Sequence, residues 1–216
     1  MYRVAVLISG RGSNLEALLK AALPVEFVGV ISNRPNAGGL DIAAAHGVPT
    51  QVIDHKSFPS REAFDEALGD ALQGLNPDLI IQAGFMRILG ARFVQRFAGR
   101  MINIHPSLLP AFPGLDTHGQ AIRAGVKLHG CTVHLVTETL DAGPIIAQAA
   151  VPVLAEDDES TLAKRVLVQE HRLLPAVVRA LATGQATLTT DPAGLAVIAA
   201  GVRTVDSACL VSPAFQ

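Results

Sequence analysis

Cysteine, charge and long hydrophobic runs are all scarce in this chain. Only Cys131 and Cys209 are present, too few for a disulfide framework, so we expect a reducing compartment such as the cytoplasm. Charged residues make up 17% of the sequence and the formal net charge is −2, which gives no general attraction to nucleic acid or anionic lipid. The apolar runs are interrupted and too short to span a bilayer, and no signal-peptide pattern precedes the first predicted strand. We therefore expect a soluble cytoplasmic protein without a nucleic-acid or membrane partner.

Signatures of metal sites and of activated nucleophiles are also missing. The sequence has neither an H-E-x-x-H motif nor a G-x-S-x-G elbow. His129 and His134 are an odd number of residues apart, which places them on opposite faces of a predicted strand. Cys131, at the start of that strand, is more typical of a small buried residue. The sequence thus predicts no bound metal and no serine or cysteine nucleophile.

Half of the 216 residues are hydrophobic, and short apolar strands alternate with helical patterns. Strands that are apolar throughout predict a sheet covered by helices on both faces. We expect one α/β domain with a doubly wound, mostly parallel sheet that becomes mixed toward its C-terminal part. Residues 1–184 are predicted to form this domain, and 185–216 a C-terminal extension packed on it, without an indicated role. Strands are predicted at 4–8, 27–31, 52–53, 78–82, 101–104, 132–136 and 145–153. Helices are predicted at 14–23, 40–46, 61–73, 91–97, 117–124 and 159–181, the last bent near Pro175.

The loops that follow the predicted strands are the natural place for a binding site. In open α/β sheets, ligands bind beyond the carboxyl ends of the strands, near the point where strand order reverses. The loops 10–14, 84–89 and 103–114 each follow a strand. We expect all three to open on one cleft.

The segment Gly10-Arg-Gly-Ser-Asn14 opens the first predicted helix. Its small residues let the backbone approach a ligand, and the amides at a helix start favour an anion. A dinucleotide fingerprint would need a third glycine at Leu15 and an acidic residue where Ser32 and Asn33 stand, and no Walker lysine is present. A single phosphate monoester therefore fits the segment best. A tight turn with a helix N-cap is the alternative.

The segment from Met101 to Gly114 joins an apolar strand to a proline-rich loop. Asn103 and His105 are two residues apart, so an extended backbone points both side chains to the same face. An amide that stabilises an oxyanion and an imidazole that moves a proton together suit acyl-type chemistry. Pro106 biases His105 away from helical angles. The alternative is a histidine that only makes a structural hydrogen bond.

A third polar group is needed to set the state of the imidazole. Asp141, in Thr139-Leu-Asp-Ala-Gly143, is the best candidate because its loop follows the strand predicted to end near Val136. A nearby carboxylate stabilises an imidazolium, and we expect Asp141 to do so for His105. A turn-forming aspartate beside Gly143 is the alternative.

The loop Gly84-Phe-Met-Arg-Ile-Leu89 carries apolar side chains after a predicted strand. Such a loop is suited to form one side of a pocket for a flat heteroaromatic ring and to offer backbone groups to the edge of that ring. Core packing of Phe85, Ile88 and Leu89 explains the pattern equally well.

Taken together, these segments closely resemble the phosphoribosylglycinamide formyltransferase family, the folate-dependent transferases of purine synthesis. The resemblance runs from the N-terminal strand to about Pro175, and nothing beyond Gly184 contributes to it. The motifs that carry it are Leu7-Ile-Ser-Gly-Arg-Gly-Ser-Asn14, Ala83-Gly-Phe-Met-Arg-Ile-Leu89, Asn103-Ile-His-Pro-Ser-Leu-Leu-Pro110, Pro113-Gly-Leu115, Leu140-Asp-Ala-Gly143 and Gln169-Glu-His171.

The resemblance implies binding roles for two sets of residues. The residues that match the substrate-phosphate and ribonucleotide site are Gly12, Ser13, Asn14 and Glu170. The residues that match the folate site, where the pterin is held largely by main-chain groups, are Arg61, Met86, Arg87, Ile88, Leu89 and Asn103. One departure is Asp116, where similar sequences lead us to expect a histidine in a mobile loop.

Asn103, His105 and Asp141 match the family's catalytic trio. The implied reaction is direct: the amine of 5'-phosphoribosylglycinamide attacks the formyl carbon that 10-formyltetrahydrofolate carries on N10. Asn103 donates to the oxyanion, His105 shuttles protons and Asp141 keeps the imidazole charged and oriented. The expected partners are these two small molecules, with the folate as co-substrate and no metal. We expect a monomer or a homodimer.

Two other functions are compatible with the same residues. A formyltetrahydrofolate deformylase resembles this catalytic unit but gives the formyl group to water; against it, the chain retains Gly-Ser-Asn for a phosphate and shows no extra N-terminal regulatory domain. A nucleotide-binding module without chemistry would use His105 only to brace the loop. A methionyl-tRNA formyltransferase would need a basic surface and a further C-terminal domain, and neither is visible.

Overall fold

A computed structural model of the chain describes residues 1–190, 196–197 and 210–212. The chain divides into two compact units. The first consists of Met1–Asn103 and Val136–Glu138, and the second of Ile104–Leu135 and Thr139–Gln216.

The first unit is built on parallel strands. Their order is β5-β4-β1-β2-β3, and every pair of neighbours is parallel. These strands are β1 (Tyr2–Ile8), β2 (Val25–Ser32), β3 (Thr50–Val52), β4 (Leu79–Gln82) and β5 (Met101–His105), whose first three residues belong to this unit. The connecting helices are α1 (Ser13–Lys20), α2 (Gly39–Ala45), α3 (Arg61–Leu75) and α4 (Ala91–Arg96).

Burial explains why these segments form central strands. All five residues from Val4 to Ile8 are fully buried, as expected for a parallel strand that packs on both faces. Helix α3 begins where the Ser60 side chain accepts a hydrogen bond from the Ala63 amide, and it packs Phe64, Leu68 and Leu72 into the core. Ser60 is therefore the N-cap of α3, a position that serine favours.

The first helix is shorter than its hydrophobic periodicity predicts. It was expected to reach Leu23, but α1 ends at Lys20. Ala22 has a left-handed backbone with φ +47°, and Leu23 precedes Pro24, which disfavours helical angles for the residue before it. The chain therefore leaves the helix three residues before the apolar pattern ends.

The second unit contains antiparallel strands, in the order β10-β7-β6. These are β6 (Leu128–Leu135), β7 (Ile145–Pro152) and β10 (Leu210–Ser212), while β8 (Thr189–Thr190) and β9 (Ala196–Val197) form a separate antiparallel pair. The helices are α5 (Thr117–Ala124) and α6 (Glu159–Ala182). Helix α6 starts with a capping box between Asp158 and Thr161 and continues through Pro175, and the bend expected there stays a prediction.

The predicted fold class is confirmed, with parallel strands in the first unit and antiparallel strands toward the C-terminus. None of the helices in the described ranges is long and apolar enough to cross a membrane. The assignment of 185–216 as a packed extension stays a prediction, because most of that segment lies outside the described residues.

Candidate active site

Strand β5 delivers two polar side chains after a run of buried apolar residues. Asn103 is half-buried, whereas His105 is 5% exposed. Because successive strand residues point to opposite faces, these two side chains share one face of the strand. The strand thus presents an amide and an imidazole on the same side, with His105 as its last residue.

The imidazole of His105 lies between two acceptors. Its Nε2 is 3.1 Å from the carbonyl oxygen of Phe112, and its Nδ1 is 3.5 Å from Oδ2 of Asp141. The side chains of His105 and Asp141 are only 6% and 7% exposed. A ring with an acceptor at each nitrogen is satisfied when both nitrogens carry a proton. The ring therefore has an acceptor oxygen near each of its two nitrogens, and one of these acceptors is a buried carboxyl group.

Asp141 is held by more than this ion pair. Its Oδ2 accepts a hydrogen bond from the Gly114 amide at 2.8 Å, and its Oδ1 lies 3.8 Å from Nε2 of His134. Burial lowers the pKa of His134, partly opposed by its Nδ1–H bond to the Leu135 carbonyl and by the charge of Asp141. Sequence reasoning considered His134 only as a metal ligand and missed this contact. Its place in the strand that precedes the Asp141 loop was the available signal.

A second pair of histidines lies close to His105 in the same unit. His118 Nδ1 is 3.2 Å from Nε2 of His129, and the Phe112 ring packs edge-on against His129 at 5.9 Å. Burial lowers the pKa of His129 to about 4, with further lowering by the charge of His118. His129 is therefore neutral at physiological pH. Among the residues that the structure describes, no group of three or more His, Cys, Asp or Glu side chains is arranged to hold a metal ion.

Asp116, which stands where the resemblance led us to expect a histidine, forms an ion pair. Asp116 has φ +57° and precedes α5, and its carboxylate binds Arg123 with an N–O distance of 2.5 Å. Arg123 also lies 3.7 Å from Glu159 at the start of α6. All three side chains are more than half exposed, so the ion pairs contribute little to stability.

In the first unit, the loop before α1 is shaped by two glycines in close contact. Gly12 has φ +82°, and a Cβ atom there would lie 2.5 Å from the Cα of Gly39. The Gly39 amide also donates to the Gly10 carbonyl at 3.1 Å. Gly12 is the N-cap of α1 and has no side chain with which to cap the helix, so the first-turn amides begin at Ser13 and Asn14, at the positive end of the helix dipole.

The loop 84–90 of the first unit is tied down at both ends. Near its start, the Ser9 hydroxyl accepts a hydrogen bond from the Met86 amide at 2.7 Å. At its end, the Gly90 amide donates to Oδ2 of Asp65 at 2.7 Å, and burial raises the pKa of this carboxyl. Sequence reasoning missed both Ser9 and Asp65. For Ser9, the only signal in the sequence was its position at the end of a buried strand, and for Asp65 there was none.

The side chains of this loop divide into two groups. Phe85 and Leu89 are each 8% exposed, whereas Met86 and Ile88 are 61% and 58% exposed. Core packing, the alternative considered above, therefore explains the first two residues but not Ile88. Arg87 is half-buried, with its guanidinium 6.0 Å from the ring centre of Phe64.

Two further candidates come from long helices. Arg61 is exposed in the first turn of α3, 3.6 Å from Glu62, with its guanidinium accessible to an anionic ligand. Glu170 is 7% exposed in the middle of α6, and carboxylates are almost never buried to this extent unless they are paired. Their roles stay predictions, as does the expectation that the loops after the strands share one cleft.

Comparison with known proteins identifies relatives along nearly the whole chain. The profile of the family described as formyl transferase matches residues 2–178. Phosphoribosylglycinamide formyltransferase of Escherichia coli (strain K12) is 45% identical over 196 residues, which cover 89% of this chain and 92% of that protein. The crystal structure of glycinamide ribonucleotide transformylase 1 from Symbiobacterium toebii matches with a TM-score of 0.87 at 45% identity, covering 92% of this chain and 94% of that one.

Some relatives are much longer. The trifunctional purine biosynthetic protein adenosine-3 of Drosophila melanogaster is 49% identical over 195 residues, but the chain spans only 14% of its length. The relatives bear out the resemblance drawn from the sequence motifs. The chain belongs to the formyl transferase family.

Proposed function

We propose that the protein transfers the formyl group of 10-formyltetrahydrofolate to the amine of 5'-phosphoribosylglycinamide, a step of de novo purine biosynthesis. The observation that carries the proposal is the buried pair of His105 and Asp141 at the end of strand β5, with Nδ1 and Oδ2 3.5 Å apart. A buried imidazole paired with a carboxyl group suits a reaction in which protons leave one nitrogen and reach another.

Asn103 stabilises the charge that develops during attack. When the substrate amine adds to the formyl carbon, the formyl oxygen gains negative charge and needs a donor. The amide of Asn103, on the same strand face as His105, supplies an N–H group without a net charge. A single donor of this kind is worth on the order of 10²–10³ in rate.

His105 moves the protons that the transfer requires. The attacking nitrogen loses a proton, the bond between the formyl carbon and N10 breaks, and N10 takes up a proton as it leaves. Positioned proton transfer of this kind contributes about 10²–10⁴ in rate. The carboxyl group of Asp141 orients the ring and offsets the charge that the ring gains on protonation, and its own position is fixed by the Gly114 amide. The transfer then needs no covalent intermediate on the protein.

Binding of the ribonucleotide is assigned to the N-terminal end of α1 and to Glu170. The first-turn amides at Ser13 and Asn14 offer donors to a phosphate, and the helix dipole favours its charge. The close contact of Gly12 with Gly39 keeps the backbone free of side chains at this point. Glu170 provides a carboxylate for the polar part of the ribonucleotide.

Binding of the folate is assigned to the loop 84–90 and to Arg61. The exposed side chains of Met86 and Ile88 can cover the flat faces of a pterin, while main-chain groups from Met86 to Leu89 meet its edge. Arg87 belongs to the same loop. The exposed guanidinium of Arg61 suits the carboxylates of the folate's glutamate tail.

The test is a spectrophotometric assay of 10-formyltetrahydrofolate consumption, run with and without 5'-phosphoribosylglycinamide. Consumption only in its presence, with formylated product, supports the transferase. Release of formate without the ribonucleotide selects the deformylase, and ligand binding without turnover selects the non-catalytic module.

Two variants test the assigned chemistry. We expect His105→Ala and Asp141→Asn to lose at least about 10²-fold in kcat, because both act on protons, while the dissociation constants of both ligands stay near those of the wild type. His46→Ala, at the C-terminal end of α2, serves as a histidine control with unchanged turnover. Full activity of either site variant contradicts the assignment.

A further inference from the structure

The buried hydroxyl of Thr132 connects strand β6 to the loop 106–114 through hydrogen bonds. Its Oγ1 donates to the Ser107 carbonyl at 2.7 Å and accepts from the Leu109 amide at 3.0 Å. It also accepts from Nε2 of Gln148 at 3.0 Å. A threonine hydroxyl offers one donor and two acceptor positions, so all three are used. Thr132 has no exposed surface.

Gln148 strengthens the same attachment from the neighbouring strand. It lies directly opposite Thr132 in the pairing of β6 with β7, and its Nε2 also donates to the Leu109 carbonyl at 2.8 Å. Two side chains that face each other across two strands therefore bind both backbone polar groups of Leu109. Within the loop, the Ser107 hydroxyl donates to the Ala111 carbonyl at 2.7 Å, which carries the attachment toward Phe112.

The loop held in this way supplies the backbone partners of both buried ionisable groups. Phe112 provides the carbonyl oxygen that faces Nε2 of His105, and Gly114 provides the amide that binds Asp141. A displacement of this loop therefore moves one partner of His105 and one partner of Asp141 together. A misplacement of about 1 Å at a reacting group can cost about 10²-fold in rate.

We propose that Thr132, supported by Gln148, is a positioning residue that fixes the loop 106–114 so that it orients His105 and Asp141. The proposal rests on the proposed function for its kinetic consequences, while its structural consequence at His105 stands independently. Thr132 acts through the loop backbone and has no assigned contact with either substrate.

The test compares Thr132→Val, which removes the hydroxyl at almost constant shape, with Thr132→Ser, which retains it. We expect Thr132→Val to lower kcat about 10- to 100-fold with KM for both substrates within about twofold of wild type, as for a loss of transition-state orientation. The pH at which kcat falls should also move, because the surroundings of His105 change. Thr132→Ser should restore most of the activity and the original pH profile.

Val177→Ala is the control for stability alone. Val177 is fully buried in α6, so this variant lowers the free energy of unfolding and removes none of the hydrogen bonds that Thr132 and Gln148 make. Its kcat and pH profile should remain those of the wild type. If Thr132→Val does not fold, Gln148→Leu carries the same prediction, because it removes two of the four hydrogen bonds that hold Leu109 and Thr132.

An imidazole ¹⁵N NMR titration of His105 separates this proposal from the proposed function. We expect the His105 resonances to shift in Thr132→Val and Gln148→Leu, and to be unchanged in Thr132→Ser and Val177→Ala, whether or not the protein turns over. A wild type without transfer overturns the proposed function. Unchanged resonances, or an unchanged kcat and pH profile in Thr132→Val, overturn the positioning role.

Discussion

The loop before α1 gives the sharpest mutational prediction, because two of its glycines differ in their surroundings. Gly12 has φ +82°, and an added Cβ would lie 2.5 Å from the Cα of Gly39. At Gly10, none of the described residues outside its immediate chain neighbours has an atom within 4 Å of an added Cβ, and the φ of Gly10 is not positive. Gly12→Ala and Gly10→Ala are thus matched changes in one loop with different expected results.

The cost of Gly12→Ala can be worked out from two effects. An alanine in the left-handed region costs roughly 1–2 kcal/mol. Relief of the contact with Gly39 also moves a backbone segment whose amide donates to the Gly10 carbonyl at 3.1 Å, and a lost hydrogen bond of this kind costs about 1 kcal/mol. We therefore expect the free energy of unfolding to fall by about 2–3 kcal/mol in Gly12→Ala and to change little in Gly10→Ala.

The assay is urea denaturation together with steady-state kinetics. Because the first-turn amides of α1 are assigned to the phosphate, Gly12→Ala should raise KM for the ribonucleotide at least about tenfold. KM for the folate should stay close to that of the wild type, and Gly10→Ala should leave both constants near their original values. Equal effects of the two substitutions, or an equal rise in both KM values, would refute the phosphate site.

Three further outcomes are expected. Burial lowers the pKa of His129 to about 4, so the unfolded chain binds more protons than the folded chain between about pH 4 and 6.5. The free energy of unfolding should therefore fall as the pH drops through this window. Urea denaturation of His129→Gln should show a smaller fall. Ser9→Ala removes the acceptor of the Met86 amide and should raise KM for the folate several-fold, as measured by initial rates, with less effect on the ribonucleotide. Gly130→Ala would place a Cβ 1.9 Å from the Ala149 carbonyl oxygen, and circular dichroism should reveal loss of the folded state.

Much of the fold could be predicted from the sequence because its signals are local. The apolar runs that became β1, β4 and β5 are strands buried on both faces, and Ser60 caps α3 as its residue type suggests. The end of α1 was placed too late by the apolar pattern, which continues past Ala22 while the backbone turns to φ +47° there; Pro24 was the one signal in the sequence that the helix ends earlier. Hydrophobic periodicity records which residues can be buried, and a change of backbone direction leaves no trace in it.

The geometry of the candidate site was predicted in part, and its chemistry stays a prediction. Asp141 was predicted as the partner of His105 because its loop follows a predicted strand, and the structure places His105 Nδ1 and Asp141 Oδ2 3.5 Å apart. Ser9 and Asp65 were missed, because a serine or an aspartate near a loop is common and its partner here is a backbone amide. Such partners become visible only when the tertiary structure brings distant segments together.

Backbone geometry around His105 explains why its surroundings escape sequence patterns. Phe112, Gly114 and Asp141 all have positive φ values, of 55°, 79° and 51°, although only glycine adopts this region easily. The two non-glycine residues cost energy in this conformation, which persists only where surrounding contacts hold it.

Phe112 offers its carbonyl to His105, and Gly114 offers its amide to Asp141. The contacts with Thr132 and Gln148 fix the loop that contains these atoms. The orientation of the imidazole therefore depends on main-chain groups that every sequence possesses, and on two polar side chains in the neighbouring strands that hold them in place.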